Sequence, residues 1–270
     1  SLRRATLTLL ALAVAVSAQD TAPPVAPRAP VPCGVGERAE YNLKYGFLHA
    51  GTGVSEIVKV DTVRGRNAYH AVFRIRGGIP GYRVNDRYET WMDVSSLSSL
   101  RFWKDLDEGP YERELKYEIL PESGVYIRSD LAPQPTVTLP LDDGSFLYFI
   151  RTIPLEVGKE YSFNQYFMPD RNPVRIVVIR RERIRVPAGT FNTIVVRPII
   201  KTRGIFAENG RAEVWLTDDE NRLMVQMKTH VSFGTLTLQL KSYQPAKRDS
   251  TTRRDSTAID TTSPTPPATP

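Results

Sequence analysis

Apolar and polar residues alternate along much of this chain, and that two-residue period constrains the fold more than any other feature. Successive side chains of a β-strand point to opposite faces, so one face packs in a core while the other meets water. Between Tyr111 and Ile119, charged residues separate Leu115, Tyr117 and Ile119. The same period runs through three other segments, Tyr69–Arg76, Leu223–Val231 and Thr235–Lys241.

Shorter strand-like runs fill the rest of the central region, and turn-forming residues separate them. Gly, Pro, Asn and Asp cluster at 63–67, 77–81, 187–189 and 218–221, which is typical of hairpin connections. About a dozen strands joined in this way predict an all-β fold, a large curved antiparallel meander forming an open or partly closed barrel-like sheet. The further runs are Glu40–Tyr45, Gly53–Val60, Tyr82–Trp91, Leu100–Asp105, Gly124–Arg128, Glu160–Phe167, Val174–Val186, Thr193–Ile199 and Arg211–Thr217.

One stretch, Leu141–Arg151, favours a short helix over a strand. Asp142 and Ser145 are capping candidates at its start, five apolar residues follow without strict alternation, and Pro154 stops it. A buried strand is the alternative interpretation of the same residues. A single helix beside a large curved sheet is expected to cover or plug one of its openings.

The two ends of the chain differ in composition from the centre. Residues 1–18 are typical of a signal peptide, because Arg3 and Arg4 precede an apolar run that is too short to cross about 30 Å of hydrocarbon. Residues 19–35 form a Pro/Ala-rich linker, 36–244 the all-β domain, and 245–270 a Thr/Ser/Pro-rich tail; both arms are expected to be disordered. The prediction is an exported protein of the periplasm or outer cell envelope of a bacterium, with no transmembrane span.

Charge and cysteine content exclude several classes of protein. Lys and Arg exceed Asp and Glu by six, but both signs are mixed along the chain. We expect no nucleic-acid partner, because aromatic residues do not interleave with a basic stripe. Cys33 is the single cysteine, so it can form no internal disulfide, and it lies too far beyond Ala18 to be the acylated residue of a lipoprotein.

Motifs that carry chemistry are sparse. The three histidines, His49, His70 and His230, show no metal-ligand spacing, and we expect His70 and His230 to be solvated on outward strand faces. No nucleophile elbow, phosphate loop or dinucleotide fingerprint occurs, so no cofactor is predicted. The adjacent acids Asp142-Asp143 and Asp218-Asp219 keep a carboxylate-dependent hydrolase open as a hypothesis, although such residues are more often caps or solvated turns.

A basic run lies on one predicted strand. Arg181, Arg183 and Arg185 occupy alternate positions and therefore share one face. An anionic partner such as a phospholipid headgroup would fit this stripe. An exposed strand that charge keeps soluble is the other interpretation.

The order of several landmarks resembles a known family. They are Gly36–Tyr41, Tyr45–Gly51, the strand from Tyr88 to Trp91, Asp142–Arg151, Val186–Phe191, Val214–Leu223 and the final Gly234–Leu240 strand. This series is similar to the bacterial exported family catalogued as domain of unknown function 3108, over about Gly36–Tyr243. The resemblance implies a periplasmic or secreted all-β domain of unassigned activity, with no agreed catalytic residues to carry over.

Two hypotheses follow for a chain with this pattern. The first is a non-catalytic β-sheet module that binds a hydrophobic or amphipathic envelope ligand; the second is a structural protein that contacts other envelope components. Residues that either hypothesis singles out, each also open to a purely structural role, are Trp91, Asp142, Ser145, Tyr148, Arg151, Trp215, Asp219 and Arg222.

Overall fold

The computed structural model describes residues 31–201, 212–231 and 234–247, and these form one antiparallel sheet of 14 strands with one short α-helix. The predicted signal peptide, residues 19–30 of the predicted linker and residues 248–270 of the predicted tail lie outside the described residues. The elements are β1 Arg38–Tyr45, β2 Leu48–Val63, β3 Arg66–Ile79, β4 Tyr82–Asp93, β5 Ser99–Glu108, β6 Tyr111–Leu120, β7 Val125–Arg128, β8 Gln134–Pro135, α1 Asp143–Phe149, β9 Glu160–Phe163, β10 Val174–Val186, β11 Gly189–Ile199, β12 Glu213–Thr217, β13 Met224–Val231 and β14 Gly234–Gln244.

The sheet is a meander whose first and last strands meet in its middle. Its order is β8-β7-β6-β5-β4-β3-β2-β1-β14-β13-β12-β11-β10-β9, so β1 pairs with both β2 and β14. One hydrophobic core takes side chains from β1 to β6 and from β9 to β14, which requires the sheet to curve around it. The predicted all-β antiparallel meander with one short helix is therefore confirmed.

Some predicted element boundaries were wrong. The run Glu160–Phe167 forms a strand only as far as Phe163, because residues 164–167 turn inward to the core. The two-residue strand β8 was not predicted, since it is too short to show a period. Within Leu141–Arg151 the α-helix covers Asp143–Phe149, and a 3₁₀ turn continues it over Ile150–Thr152.

The two ends of the sheet, β8 and β9, do not pair with each other among the described strands. The chain segments beside them close this gap, which we call the seam (residues 136–141 and 165–167). Leu141 N donates to Gln165 O at 2.6 Å, and Phe167 N donates to Leu141 O at 2.9 Å. Thr136 Oγ1 also donates to Phe167 O at 2.7 Å. The seam thus replaces the missing strand pair with a short ladder of its own.

Phe167 is the centre of an aromatic cluster behind the seam. Its ring centroid lies 5.2 Å from those of Tyr117, Tyr126 and Tyr166 and 6.3 Å from that of Phe102. Tyr117 and Phe102 belong to β6 and β5. The cluster therefore packs the chain beyond β9 against the opposite end of the sheet, with edge-to-face geometry that favours aromatic pairs.

Within the described residues, no helix has the length and apolar character that crossing a membrane would require.

Truncating Phe167 is expected to weaken the fold at the seam. Phe167 is 1% exposed, so Phe167→Ala should lower the free energy of unfolding by about 3–5 kcal/mol. Phe47, which is 91% exposed, gives the matched control, and Phe47→Ala should change it by no more than about 0.5 kcal/mol. Urea unfolding followed by circular dichroism measures both, and equal effects would contradict the assigned role of the seam.

Candidate functional site

The curved sheet and helix α1 enclose a cavity of about 650 Å³. Its wall takes residues from β1 to β6, β13, β14 and α1. Several lining residues, such as Tyr45, Ala50, Tyr82 and Tyr111, flank the turns between β1 and β2, β3 and β4, and β5 and β6. The cavity therefore lies at the end of the sheet that carries these turns.

Most of the cavity lining is apolar, with charge confined to one side. The charged residues Asp86, Lys104, Glu108 and Asp143 come from β4, β5 and α1. The apolar side chains of the lining are Leu43, Ala50, Phe73, Ile75, Ile79, Val84, Leu106, Leu147, Met227, Leu236 and Leu238. This combination of a largely apolar wall and a few converging polar groups is typical of small-molecule sites.

Lys104 and Asp143 neutralise each other inside this wall. The Lys104 ammonium forms an ion pair with Asp143 Oδ2, and the Tyr166 hydroxyl donates to Asp143 Oδ1 at 2.7 Å. Burial acts to raise the pKa of Asp143, but the charge and hydrogen bond of Lys104 outweigh it and hold that pKa below its ordinary value. The Asp143 carboxylate is therefore ionised at neutral pH, and its ion pair with Lys104 fixes α1 to β5.

Asp86 and Glu108 form an acidic pair in the same wall. The Asp86 side chain is 4% exposed, and a hydrogen bond joins its carboxyl to that of Glu108. Asp86 Oδ1 also accepts from Asp107 N at 3.1 Å. Burial, followed by the hydrogen bond to Glu108, raises the pKa of Asp86 to about 7. Ionising both carboxyls here is costly because two negative charges would share one desolvated place.

The predicted capping residues fix the helix that bounds the cavity. Asp142 caps α1: its Oδ1 accepts from Gly144 N at 2.7 Å and Ser145 N at 2.9 Å, while Ser145 Oγ accepts from Asp142 N. Asp142 Oδ2 accepts from Thr90 Oγ1 at 2.5 Å and from the Ser99 hydroxyl. Burial raises the pKa of Asp142 to about 6. The carboxyl thus links α1 to β4 and to the start of β5.

Gly144 lets the helix approach β4 this closely. A Cβ added at residue 144 would lie 2.9 Å from Thr90 Cγ2 and 3.1 Å from Thr90 Cβ, which is closer than carbon atoms pack. Gly144 also lines the cavity together with Leu147, one helical turn further on. The position of this wall therefore depends on the absence of a side chain at residue 144.

Tyr148 in the last turn of α1 and Arg151 just beyond the helix are both buried. Arg151 is 7% exposed and pairs with Glu37 through Nη1–Oε1 at 2.6 Å and Nη2–Oε2 at 3.2 Å. It also donates to Asn221 O at 2.9 Å and to the Pro32 carbonyl. The Tyr148 hydroxyl lies 3.3 Å from Ser55 Oγ. The buried charge of Arg151 is thus compensated by Glu37 and by backbone carbonyls.

Cys33 lies beside this buried pair, at the end of the predicted linker. Val31, Cys33 and Val35 all pack against the hydrophobic core. Burial raises the pKa of the Cys33 thiol to about 12, although the nearby charge of Arg151 acts in the opposite direction. The thiol therefore stays protonated and unreactive at neutral pH.

Trp91 and Trp215 lie on the convex face of the sheet, opposite the cavity. Trp91 packs in a small separate cluster with Val63, Ala68 and Leu100, and its Nε1 donates to Asp61 Oδ2 at 3.1 Å. Trp215 Nε1 donates to Glu182 Oε1 at 2.5 Å. Neither indole faces the cavity lining.

The expectation for His70 was wrong, whereas His230 is exposed as expected. The His70 side chain is only 12% exposed, because its ring stacks on Trp91 with centroids 4.2 Å apart and Nε2 lies 2.6 Å from Glu89 Oε2. The outward face of this strand is itself covered, which alternation along one strand does not show. Among the described residues, no group of three or more His, Cys, Asp or Glu is placed to hold a metal ion.

Asp219 and Arg222 form the turn between β12 and β13. Asp219 Oδ1 accepts from the backbone N of Asn221 at 3.0 Å and of Arg222 at 3.1 Å, and from Thr217 Oγ1 at 2.6 Å. Arg222 adopts a left-handed backbone conformation with φ of 49°. The acids Asp142-Asp143 and Asp218-Asp219 thus serve in helix capping, ion pairs and this turn.

The predicted basic stripe is exposed on the β10–β11 hairpin. Arg181, Arg183 and Arg185 are all exposed, whereas Ile184 and Val186 between and beyond them pack against the core. Arg181 Nε donates to Asp218 Oδ2 at 2.8 Å. The stripe lies on elements that do not line the cavity.

Sequence reasoning missed Asp86, Lys104, Glu108 and Glu37. The first three could have been found, because they occupy inward positions of alternating strands. Tyr82, Val84, Asp86 and Tyr88 share one face of β4, and Phe102, Lys104, Leu106 and Glu108 share one face of β5. A charged residue at such a position indicates either a buried pair or a polar cavity. No local signal indicated Glu37, which is 114 positions away from Arg151 in the chain.

Removing the charge of Glu37 should strongly destabilise the protein. Glu37→Gln leaves the Arg151 guanidinium buried without its counter-ion, for which we expect a loss of about 3–5 kcal/mol in the free energy of unfolding. Glu40 provides the control, because its pair with Arg38 is about one-third exposed on both sides. Glu40→Gln should cost less than about 1 kcal/mol. Chemical denaturation of both variants gives the two losses in the free energy of unfolding. Losses of similar size would contradict a buried ion pair between Glu37 and Arg151.

The contribution of Asp86 to the free energy of unfolding should fall as the pH rises from about 4 to about 7. Since its pKa is about 7 in the fold and about 4 in an unfolded chain, the folded protein retains a proton that the unfolded chain loses between these values. Stability from this group is therefore present below about pH 4 and is lost by about pH 7. Asp86→Asn should remove the part of the slope due to Asp86 and leave the part due to Asp142, whose pKa burial raises to about 6, whereas Glu112→Gln on β6 should change neither part. Urea unfolding across this pH range provides the measurement, and parallel curves for wild type and Asp86→Asn would contradict the assignment.

Solved structures with a similar fold exist, although sequence similarity to them is low. The β-barrel-like protein of domain of unknown function DUF1849 from Brucella abortus has a TM-score of 0.53 at 12% identity, over 80% of this chain and 99% of that one. A candidate lipoprotein from Parabacteroides distasonis scores 0.35 at 13% identity, over 79% and 98% of the two chains. A candidate exported protein with a YmcC-like fold from Bacteroides fragilis scores 0.29 at 14% identity, over 82% and 100%.

The first of these likenesses concerns the fold alone, and it agrees with the open, curved sheet described above. No curated protein matches the chain at a significant level. The sequence profile of one family, described as protein of unknown function (DUF3108), matches residues 40–241. That match spans most of the sheet, the helix and the cavity wall, and it confirms the predicted resemblance. The chain therefore belongs to the DUF3108 family of proteins of unknown function.

Proposed function

We propose that this protein is an exported binding module of the cell envelope that holds a hydrophobic or amphipathic ligand in the cavity between its sheet and helix α1. The observation that carries the proposal is the cavity itself. Its volume of about 650 Å³ falls in the range of about 300–1,000 Å³ that small-molecule sites occupy.

The composition of the lining supports an apolar ligand. Aliphatic and aromatic side chains from eight strands and the helix surround the space, and each square ångström of them that a ligand covers contributes about 25 cal/mol. Most of the neighbouring core is tightly filled, as the fully buried Phe146, Phe149 and Phe167 show. An apolar space of this size beside a well-packed core favours a ligand as its occupant.

The rim of the cavity supports entry from the turn end. Tyr111 lines the cavity and is 45% exposed. Phe47, between the cavity residues Tyr45 and Ala50, is 91% exposed. Apolar side chains at the mouth would contact a ligand as it leaves water, whereas Arg151 and Glu37 are buried and outside the cavity lining.

Export is the second part of the proposal, and it depends on residues 1–18. Arg3 and Arg4, the short apolar run after them and the small residues around Ala18 are typical of a signal peptide. We therefore propose the periplasm or outer envelope as the compartment, where amphipathic molecules are abundant.

The alternative of an assembly protein has less support. Strand addition to a partner needs a free strand edge, and the two edge strands have only two and four residues. The seam segments also form hydrogen bonds with each other beside those edges. The hydrolase hypothesis has no support from its proposed carboxylates, since Asp142 and Asp219 accept hydrogen bonds from a helix cap and a turn.

Filling the cavity should weaken the binding of a hydrophobic probe. Leu106→Trp places an indole in the cavity lining, so the affinity for the neutral dye N-phenyl-1-naphthylamine should fall by about tenfold or more. Val58→Trp is the control, because Val58 is 42% exposed and outside the lining. Fluorescence titration, with displacement by a twelve-carbon monoacylglycerol, gives both affinities.

The proposal fails on either of two results. One is that wild type binds neither the dye nor the monoacylglycerol; the other is that Leu106→Trp and Val58→Trp bind the dye as wild type does. Circular dichroism of both variants confirms that the sheet is intact before binding is compared.

A further inference from the structure

We propose that the cavity selects its ligand by charge, with Asp86 and Glu108 receiving a head group that presents an ammonium, while the apolar wall holds the attached chain. This inference deepens the proposed function and depends on it. It predicts a cationic amphiphile as the ligand class, in preference to a fatty acid or another anionic amphiphile.

The geometry places both carboxyls at one side of the cavity. Asp86 on β4 and Glu108 on β5 line it together, with Tyr88 beside Asp86. Asp86 is only 4% exposed, and its Oδ2 lies 3.5 Å from the Tyr88 hydroxyl. A contact of that length is a weak hydrogen bond, so Asp86 Oδ2 can also accept from a stronger donor.

The protein's own cations near the cavity are engaged elsewhere. Among the described residues, the lining contains three carboxyl groups and one ammonium, that of Lys104. Lys104 pairs with Asp143, which Tyr166 also contacts. Arg83, on the same strand as Asp86, donates to both carboxylate oxygens of Asp107 at 2.9 and 2.8 Å. The acidic pair therefore faces the cavity as an excess of negative charge.

Electrostatic complementarity then determines the sign of the head group. An ammonium placed between the two carboxyls would donate to both, and its charge would offset the burial that raises the pKa of Asp86 to about 7. A carboxylate or phosphate at the same place would add a further negative charge to a desolvated site. A carboxyl in a cavity whose pKa is raised by burial and by a neighbouring carboxyl, as that of Asp86 is, is a candidate functional group.

The position of the pair also suits an amphiphile. Leu106 lies between Lys104 and Glu108 on the inward face of β5, and Val84 precedes Asp86 on β4. Apolar residues of β1, β3, β13 and β14 line the remainder of the cavity. A ligand with its head at the acidic pair can therefore keep its chain against aliphatic side chains throughout.

Three single-chain probes of equal length test the inference. Dodecylamine, dodecanoate and the twelve-carbon monoacylglycerol each displace N-phenyl-1-naphthylamine from the full chain at about pH 8, below their micelle concentrations. At this pH the amine is protonated, and the Asp86 carboxyl, with a pKa of about 7, can ionise beside it. We expect dodecylamine to bind at least about tenfold more tightly than dodecanoate. The affinity of the neutral monoacylglycerol should lie between the two.

Two variants locate the effect. Glu108→Gln, at a half-buried position, should reduce the ratio of amine to carboxylate affinity severalfold, and the affinity for the neutral probe reports any change in the wall itself. Asp86→Asn should do the same and serves as a second variant if Glu108→Gln fails to fold. Glu112→Gln on β6 removes one negative charge outside the lining and should leave the preference unchanged, which separates a site effect from a change in overall charge.

The outcomes distinguish this inference from the proposed function. Equal or tighter binding of dodecanoate by wild type, or an unchanged preference in both Glu108→Gln and Asp86→Asn, would overturn charge selection while leaving the cavity as a hydrophobic site. If none of the three probes binds, the proposed function fails and the inference fails with it.

Discussion

The buried carboxyl of Asp142 is the interaction on which the arrangement of this domain depends. It accepts hydrogen bonds from the first turn of α1 and from Thr90 and Ser99 at β4 and β5, so one group joins the helix to the sheet. The neighbouring pair of Asp143 with Lys104 adds a second link to β5. Because α1 provides one wall of the cavity, the space beside the sheet exists only where these contacts hold the helix. Without these contacts, the helix could pack against the concave face of the sheet in several positions.

The two sides of the helix have opposite characters. Toward the turn end, Gly144 and Leu147 border an open apolar space with an acidic pair in its wall. Beyond the helix, Arg151 and Glu37 form an ion pair, and Cys33 packs against the core beside them. A buried ion pair contributes little net stability compared with an apolar replacement, but losing either partner is costly. The ion pair between Arg151 and Glu37 positions the chain, because it fixes residues 31–37 to the segment that follows α1. The domain thus has one packed region and one open region, an arrangement that suits the proposed binding module.

Much of the fold could be predicted from the sequence, because alternation reports local backbone geometry. The strand Val174–Val186 and the capping pair Asp142 and Ser145 were predicted at the residues where they occur. Alternation does not show which face of a strand is concave, so Trp91 could not be assigned to the convex cluster.

Pairing between residues that are distant in the chain, such as Glu37 and Arg151, could not be predicted either. The cavity depends on curvature and on where the helix packs, and neither leaves a periodic signal. Asp86 and Glu108, in contrast, occupy inward positions of alternating strands, and charged residues at such positions indicate a buried pair or a polar cavity.

The central claim is that the space between sheet and helix holds a small amphipathic molecule in the cell. The most direct measurement is native mass spectrometry of the full chain isolated from the envelope fraction of a producing bacterium, followed by solvent extraction of any released compound. The account predicts a complex of one chain with one small molecule, which collisional activation releases and whose chain is apolar. A spectrum that contains only the bare polypeptide under the gentlest conditions, with no hydrophobic compound in the extract, would contradict it.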